Sequence, residues 1–194
     1  MNKTSYAKAI NLALRESMES DKSVFCIGED VGFGGAYGAT QNLREQFGND
    51  RVRDTPISES AIVGFSVGSA LCGFRPVAEI MHMDFIAIAM DQVVNQAAKI
   101  RYMFGGKAKI PIVIRCGVGG YLNAAAQHSQ SLESWFTHIP GLKIVAAGTP
   151  SDARSLLRDS IEDDNPVVLL ESLALYDKKD EVPNDYVKNS LGKA

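Results

Sequence analysis

The chain has 194 residues, a hydrophobic fraction of 45%, a charged fraction of 22% and a formal net charge of −3. This length is enough for one domain with its own core, and the composition is ordinary for a soluble globular protein. The small negative charge gives no argument for nucleic acid or a membrane surface as a partner. No window approaches the roughly 20 apolar residues that a membrane span needs, so we expect neither kind of partner.

Three cysteines, Cys26, Cys72 and Cys116, are widely spaced and form no C-x-x-C pair. An odd number of scattered cysteines favours reduced thiols over a disulfide framework. The chain starts with Met-Asn-Lys-Thr-Ser and continues into an amphipathic pattern without the apolar core of a signal peptide. We therefore expect a cytoplasmic protein.

Hydrophobic spacing predicts helices that alternate with strands. A first helix begins at Tyr6, with Thr4 or Ser5 as its cap. There follow a strand at 23–28, a glycine-rich loop at 29–39, helices at 40–48 and after 58, a strand at 75–80, a long helix at 84–104, a strand at 110–116, a helix at 129–137, a strand at 142–147, a helix at 151–162 and a strand at 166–171. This alternation is typical of an α/β fold with a mainly parallel sheet and helices on both faces.

The segment Asp-Thr-Pro-Ile-Ser-Glu at 54–59 carries the clearest chemical signal. Pro56 holds the backbone extended just before a helical run, Ser58 can cap that helix, and Glu59 lies in its first turn. The residues that follow, 61–68, are apolar and small, so the carboxylate lies close to dry surroundings where its proton can be put to use. The alternative is that Glu59 is only a favourable charge at a helix N-terminus.

A second pattern, Gly-Phe-Ser-Val-Gly at 64–68, fits the G-x-S-x-G nucleophile elbow. The elbow needs a strand before it and a sharp turn at the serine, whereas Ser66 falls in the middle of a predicted helix. A serine hydrolase that uses Ser66 is therefore kept as an alternative function. The glycines at 32–38 do not form a dinucleotide fingerprint, and the histidines lack paired metal-ligand spacing.

Five segments in one order resemble a known family. They are T-P-I-S-E at 55–59, E-I-M-H-M-D-F at 79–85, D-Q-V-V-N-Q-A-A-K at 91–99, Q-H-S-Q at 127–130 and H-I-P-G-L-K at 138–143. From about Tyr6 to Tyr176 the chain resembles the β subunit of thiamine-diphosphate-dependent 2-oxo acid dehydrogenases. These are the decarboxylating components of the pyruvate, branched-chain and acetoin dehydrogenase complexes.

The resemblance implies a fold of the thiamine-diphosphate pyrimidine-binding type. Residues 1–176 would form the pyrimidine-binding domain, and the polar stretch 177–194 would be a linker to a C-terminal domain that this chain lacks. An α subunit would bind the diphosphate and magnesium, and the absence of a G-D-G segment from this chain fits a β-type half-site. Further implied partners are a second β chain, a lipoyl acyltransferase core and a small 2-oxo acid or acetoin as substrate.

The resemblance also implies roles for single residues. Glu59 matches the glutamate that activates the cofactor through a ring nitrogen of the aminopyrimidine. Met81 and Phe85 match positions that pack on the pyrimidine, and Ile57 matches a nearby backbone contact. His128 matches a histidine that reaches the reacting centre from a loop and serves substrate and acyl transfer. The alternatives are core packing for the three apolar residues and a loop histidine bonded to backbone.

Some members of the family hold a potassium ion. Asp163 and Asn165 match that site here, and the backbone carbonyls of Ile112, Val113 and Ser160 would complete it with oxygen ligands suited to a hard cation. The alternative is a turn at the end of a helix, in which Asp and Asn have their common roles.

The sequence thus predicts the β-subunit half of a thiamine-diphosphate-dependent oxidoreductase that is active only with an α subunit. A non-catalytic, truncated scaffold that pairs with an α subunit is the first alternative, because the C-terminal domain is missing. The segments 101–107 and 81–85 lean towards the acetoin and pyruvate members of the family.

Overall fold

A computed structural model describes residues 2–186, 188 and 191–192. Its central sheet has six strands: β2 (Val24–Gly28), β3 (Val52–Asp54), β4 (Arg75–His82), β5 (Val113–Val118), β6 (Lys143–Ala147) and β7 (Val167–Ser172). They lie in the order β3-β2-β4-β5-β7-β6, and every neighbouring pair is parallel. The strands β2, β5 and β7 are apolar runs buried on both sides, as a covered parallel sheet requires.

Two helical layers cover this sheet. The helices are α1 (Tyr6–Ser20), α2 (Leu43–Phe47), α3 (Glu59–Leu71), α4 (Ile100–Met103), α5 (Ser134–Thr137) and α6 (Pro150–Glu162). One core, which includes Ile10 and Leu157, joins α1 and α6 to one face of the sheet. A second core, which includes Ile62 and Val93, joins α3 and the segment after β4 to the other face. The predicted α/β class is confirmed.

The first helix begins where the sequence predicts. Ser5 is its cap, since the Ser5 hydroxyl accepts a hydrogen bond of 3.3 Å from the Lys8 backbone N–H. Its buried residues recur at helical spacing and include Tyr6, Ile10 and Leu14, so one stripe of the helix faces the core. Within the described residues, no helix combines the length and the apolarity that crossing a membrane requires.

The predicted linker at 177–194 contains a strand. Residues Lys179–Val182 form β8, which pairs antiparallel with Asn2–Ser5, here called β1. The two polar strands stabilise each other across the length of the chain, so neither shows a periodic pattern by itself. Residues 187, 189–190 and 193–194 of the predicted linker lie outside the described part, and the domain boundary stays a prediction.

The predicted single α-helix at 84–104 is wrong, because the segment consists of three short helical pieces of different types. Residues Met83–Ala89 form a 3₁₀ helix, Gln92–Ala97 a π-helix and only Ile100–Met103 the short helix α4. The buried residues explain the change of winding: they are Met83, Ile86 and Ala89 at spacings of three, then Val93 and Ala97 at spacings of four. Tight and then wide turns keep all of them on the side that faces α3.

The predicted helix at 129–137 is also mostly wrong. Only Ser134–Thr137 is α-helical, and a 3₁₀ turn at Ala126–His128 precedes it. Between the two, Gln130 donates from its backbone and its side-chain amide to Oδ1 of Asp84, at 3.2 and 2.8 Å. These tertiary bonds take the place of helical ones, and they tie the loop after β5 to the segment after β4.

Candidate functional site

The candidate site lies at the carboxyl edge of the parallel sheet. The loops that leave β2, β4 and β5 all start at this edge, and ligands of open α/β sheets bind there. The three loops bring Glu29, Phe85 and His128 to the same end of the sheet. The segments that carry the family resemblance at 79–85 and 127–130 therefore meet in space, and the segment 55–59, which follows β3, starts from the same edge of the sheet.

Glu59 is the first residue of α3 and is only 6% exposed. Ser58 does not cap the helix through its side chain, so that prediction is wrong; with φ −166° and ψ 80° the hydroxyl does not reach the free N–H groups. The next residue, Ser60, donates a hydrogen bond of 2.5 Å to the carbonyl of Ile88. This bond fixes the start of α3 against the 3₁₀ segment that carries Phe85.

Glu29 is a site residue that the sequence predictions missed. It follows β2 directly, and burial together with the charges of Glu59 and Asp30 raises its pKa. The sequence signal was available, because acidic residues right after a buried strand lie at the ligand-binding edge of a parallel sheet. The charges of Glu29 and Glu59 thus interact near the head of α3.

The three apolar candidates differ in exposure. Ile57 is 81% exposed, so the alternative of core packing is wrong for it. Met81 and Phe85 are half-buried and leave part of their surface open. They come from different elements, because Met81 is still in β4 and Phe85 lies in the 3₁₀ segment.

Met81 is a bulge in the pairing of β4 with β5. Ile80 lies opposite Cys116 and His82 opposite Gly117, so one residue of β4 has no counterpart. A bulge of this kind shifts the alternation of side chains by one position. His82 therefore lies on the opposite face of the sheet from Ile80.

His128 ends the 3₁₀ turn in the loop after β5. The loop contains two non-glycine residues with positive φ, Asn123 at 53° and Ala125 at 62°. For Ala125 this backbone is strained. Strain of this kind is found most often at active sites and ligand-binding sites. The His128 ring packs edge-on against Phe85, with ring centroids 5.1 Å apart, so the structure brings these two predicted residues together.

A second histidine, His82, lies beside His128, with ring centroids 5.0 Å apart. Its Nε2 is 2.8 Å from the hydroxyl of Tyr37, and its Nδ1 is buried without a hydrogen-bond partner among the described residues. Burial, together with the nearness of His128, lowers the pKa of His82, whereas Asp84 acts in the opposite direction. His82 and Tyr37 were not predicted, since their meeting depends on the bulge.

A buried ionic cluster lies on the same face of the sheet. Arg115 donates at 2.6 and 2.9 Å to the two carboxylate oxygens of Glu171, and at 2.8 Å to Oε2 of Glu79. Tyr176 donates a short hydrogen bond to Glu171. Desolvation raises the pKa of Glu79, although Arg115 opposes the effect. An arginine within the apolar run of β5 was the sequence signal for this cluster.

The glycine-rich loop at 29–39 closes over this cluster. Gly35 has φ 69°, and a Cβ atom on it would lie 2.9 Å from Oε1 of Glu79. A side chain at this position would be strained by the positive φ and would require the Glu79 carboxylate to move. The loop thereby places Tyr37 over the ends of β4 and β5.

The predicted potassium ligands make protein contacts of their own. Asp163 accepts from the backbone N–H and side-chain amide of Asn165 at 2.8 and 2.9 Å, and it pairs with Lys143. Burial opposes ionisation, but these hydrogen bonds hold the pKa of Asp163 below its usual range. The carbonyl of Ser160 accepts from Asp163, and that of Ile112 from Val167 in the strand next to Val113.

Potassium binding at this turn stays a prediction. Among the described residues there is no cluster of three or more His, Cys, Asp or Glu side chains that would hold a metal ion. Backbone carbonyls still have a second lone pair for a hard cation.

Ser66 cannot act as a nucleophile. Its side chain is fully buried in the middle of α3, and its hydroxyl donates a 2.7 Å hydrogen bond to the carbonyl of Ile62. No strand leads into a sharp turn at this position, so the serine-hydrolase alternative is wrong. All three cysteines are free, with Cys26 and Cys116 buried and Cys72 exposed.

Several large apolar side chains are exposed on α3 and on the segments that follow β2, β3 and β4. Besides Ile57, they are Phe33 in the turn after β2, Phe65 on α3 and Ile88 in the 3₁₀ segment. Phe65 also lines a groove of about 640 Å³ between α3 and the edge strand β3. An exposed aromatic ring that lines a groove is suited to contact another protein or a ligand.

Comparison with known families matches residues 2–179 to the transketolase pyrimidine-binding domain. Among solved structures, one described as a split-gene transketolase, inactive beta4 tetramer, superposes with a TM-score of 0.74 at 17% sequence identity. The match covers 99% of this chain and 58% of that chain. At this identity the likeness shows the fold alone.

Curated relatives are much more similar in sequence. The chain is 48% identical to the acetoin:2,6-dichlorophenolindophenol oxidoreductase β subunit of Bacillus subtilis (strain 168), over 98% of this chain and 59% of that protein. It is 48% identical to the 2-oxoisovalerate dehydrogenase β subunit of the same organism, over 100% and 60%. It is 47% identical to the pyruvate dehydrogenase E1 β subunit of Gracilaria tenuistipitata var. liui, over 96% and 58%. The chain therefore spans about three fifths of these relatives.

Proposed function

Because the chain belongs to the transketolase pyrimidine-binding domain family, we propose that it forms the pyrimidine-binding half of a thiamine-diphosphate-dependent 2-oxo acid or acetoin dehydrogenase. The observation that carries the proposal is the buried carboxylate of Glu59 at the head of α3, next to the exposed Ile57. The names of the relatives, which are β subunits for acetoin, pyruvate and 2-oxoisovalerate, support it.

The residues at this edge fit the aminopyrimidine of the cofactor. A flat heterocycle needs apolar surface for its faces and a polar partner for its ring nitrogens. Phe85 and Met81 are half-buried and offer the first, and the carboxylate of Glu59 offers the second. Ile57 adds open apolar surface and a backbone carbonyl next to Glu59. When bound, thiamine diphosphate supplies the nucleophilic carbon and the electron sink for cleavage next to a carbonyl.

The role of Glu59 is to hold a proton at a ring nitrogen of the pyrimidine. A carboxylate in a nearly dry site forms a short, charge-assisted hydrogen bond and can share its proton. Glu29 adds negative charge beside Glu59, so the pair favours a proton-bearing group between the sheet edge and the ligand.

The role of His128 is to move a proton on the substrate side. Imidazole suits this task, because its pKa lies near neutral pH. The 3₁₀ turn and the ring contact with Phe85 hold His128 at the edge where the substrate must meet the cofactor.

The proposed partners follow from the half-site. An α subunit would hold the diphosphate and magnesium, and the exposed side chains of Phe33, Ile57 and Ile88 are suited to face it. A second β chain and a lipoyl acyltransferase core would complete the assembly, which we place in the cytoplasm. The substrate is a small 2-oxo acid or acetoin.

Reconstitution with an α-type subunit tests this proposal. The assembly should reduce 2,6-dichlorophenolindophenol with acetoin or a 2-oxo acid, only when thiamine diphosphate and magnesium are present. The isolated chain should bind the cofactor weakly in calorimetry. Tight, magnesium-dependent binding to the chain alone would contradict a half-site, and assembly without turnover would favour the scaffold alternative.

Potassium binding at Asp163 is tested separately, by thermal unfolding. Exchange of sodium for potassium at constant ionic strength should raise Tm of the chain, and Asp163→Asn should remove this difference. Equal Tm values in the two salts would leave only the structural turn at 163–165.

A further inference from the structure

Three aromatic rings meet where β4 and β5 end. The rings of His82 and His128 are inclined by 83°, at a centroid distance of 5.0 Å. Phe85 lies 5.1 Å from His128 at 85°, and 6.1 Å from His82 at 86°. Each pair is therefore edge-to-face, which is an arrangement that aromatic quadrupoles favour. Such packing restricts the ring planes relative to one another, so a hydrogen bond that fixes one ring also helps to fix the others.

Tyr37 provides this fixed point. Its hydroxyl is 2.8 Å from Nε2 of His82, and Nδ1 of His82 has no hydrogen-bond partner in the described part of the chain. The bond to Tyr37 is therefore the single hydrogen bond that the described residues make to this ring. The described contacts of the His128 ring are with His82 and Phe85, so its plane depends on packing.

We propose that His82 is a positioning residue for His128: Tyr37 fixes the His82 ring, and that ring fixes the plane of the His128 imidazole. This inference rests on the proposed function, in which His128 moves a proton on the substrate side. The strained backbone of the His128 loop does not by itself determine the direction of the imidazole nitrogens.

The charged and titratable groups around His82 suit this passive role. They are Tyr37 from the glycine-rich loop, His128 from the loop after β5, Asp84 from the 3₁₀ segment and, beyond Tyr37, Glu79 from β4. Burial and the charge of Glu79 raise the pKa of Tyr37, so its hydroxyl keeps its hydrogen. A neutral His82 places no charge beside His128 that would oppose a proton there.

NMR of the histidine rings in this chain tests the positioning directly, because the chain has only three histidines. Tyr37→Phe removes one hydroxyl, and His82→Phe keeps a ring but loses both nitrogens. We expect Tyr37→Phe to shift the ring ¹⁵N signals of His82 and His128, and His82→Phe to shift those of His128. His138, which is exposed on α5's end, is the internal control and should not move. Unchanged His128 signals in both variants would overturn the proposal.

A double-mutant cycle in the reconstituted enzyme then tests whether Tyr37 and His82 act on the reaction through His128. Tyr37→Phe should slow the step after substrate binding by about tenfold when His128 is present, and less than twofold in a His128→Ala background. KM for thiamine diphosphate should stay unchanged. Equal losses in both backgrounds would show that Tyr37 and His82 do not act through His128. If the unmodified assembly has no turnover at all, the proposed function fails, and the NMR result alone decides the positioning.

Discussion

Glu59 lies near enough to Glu29, at the carboxyl edge of the sheet, for its charge to add to the effect of burial and raise the pKa of Glu29. The two residues come from different elements, the end of β2 and the first turn of α3. Burial and nearby negative charge both oppose the ionisation of a carboxyl group. Stability measurements can detect this effect at Glu29 without any ligand or partner.

Glu29→Gln should therefore stabilise the chain at neutral pH. A carboxyl group whose pKa is raised by folding contributes stability below its ordinary pKa, near 4.5, and this contribution is lost as pH rises through the raised value. We expect Tm of Glu29→Gln to exceed that of the unmodified chain at about pH 7.5, and the difference to vanish at about pH 4. Glu45→Gln, at an exposed position of α2, is the matched control. A gain that is independent of pH would contradict the ionisation of Glu29 as its cause.

His82 should make the chain sensitive to mild acid. Its pKa in the folded chain lies below the ordinary value of 6.5, so the unfolded chain takes up a proton that the folded chain refuses. Stability should fall as pH decreases below about 6.5. His82→Gln keeps a hydrogen-bonding group for Tyr37 but does not titrate, so its Tm should fall less between about pH 7.5 and 5.5. Parallel curves for the two proteins, with His138→Gln as control, would disprove a buried neutral His82.

Arg115 should be among the most sensitive positions for stability. Arg115→Met leaves the carboxylates of Glu79 and Glu171 buried without their cation, and breaking a buried ion pair in this way costs about 3–5 kcal/mol. Denaturant unfolding measures the loss. Arg53→Met, at an exposed site of β3, should change the free energy of unfolding by no more than about 0.5 kcal/mol. A loss at Arg115 as small as that at Arg53 would mean that the cluster is hydrated.

His128→Ala should separate two steps of the reaction. Glu59 acts on the cofactor before substrate arrives, so proton exchange at the thiazolium carbon should stay nearly normal in this variant. The rate of reductive acylation of the lipoyl group should fall by about 10²–10⁴, the usual effect of one positioned acid or base. If both rates fall together, or neither falls, this division between the two residues is wrong.

Most strands of the sheet were predictable, because they are short apolar runs in the sequence. The run Val167–Leu170 in β7, for example, is apolar enough to predict a buried strand without knowledge of the strands that pair with it. Strand β3 was missed because it has three residues at the sheet edge, of which only Val52 is buried. β1 and β8 were missed because each is polar and is stabilised by a partner at the other end of the chain.

The site was predictable only at the level of segments. The short motifs located Glu59, Phe85 and His128, and the fold places all three at one sheet edge. The surroundings of His128 were not predictable, since they depend on the bulge at Met81, which exists only in the pairing of β4 with β5. A shift of one residue there would turn His82 to the other face of the sheet and away from its hydrogen-bonding partner.

Proton exchange at the thiazolium carbon of bound thiamine diphosphate tests the central claim most directly. The chain is assembled with an α-type subunit, cofactor and magnesium, and exchange is compared with that of Glu59→Gln, which keeps the shape but loses the titratable proton. Glu45→Gln, on exposed surface, is the control. If Glu59 activates the cofactor, exchange in Glu59→Gln falls by about 10²–10⁴ while folding and assembly are unchanged. Exchange at a near-normal rate in Glu59→Gln would contradict the assignment of Glu59 and, with it, the proposed half-site.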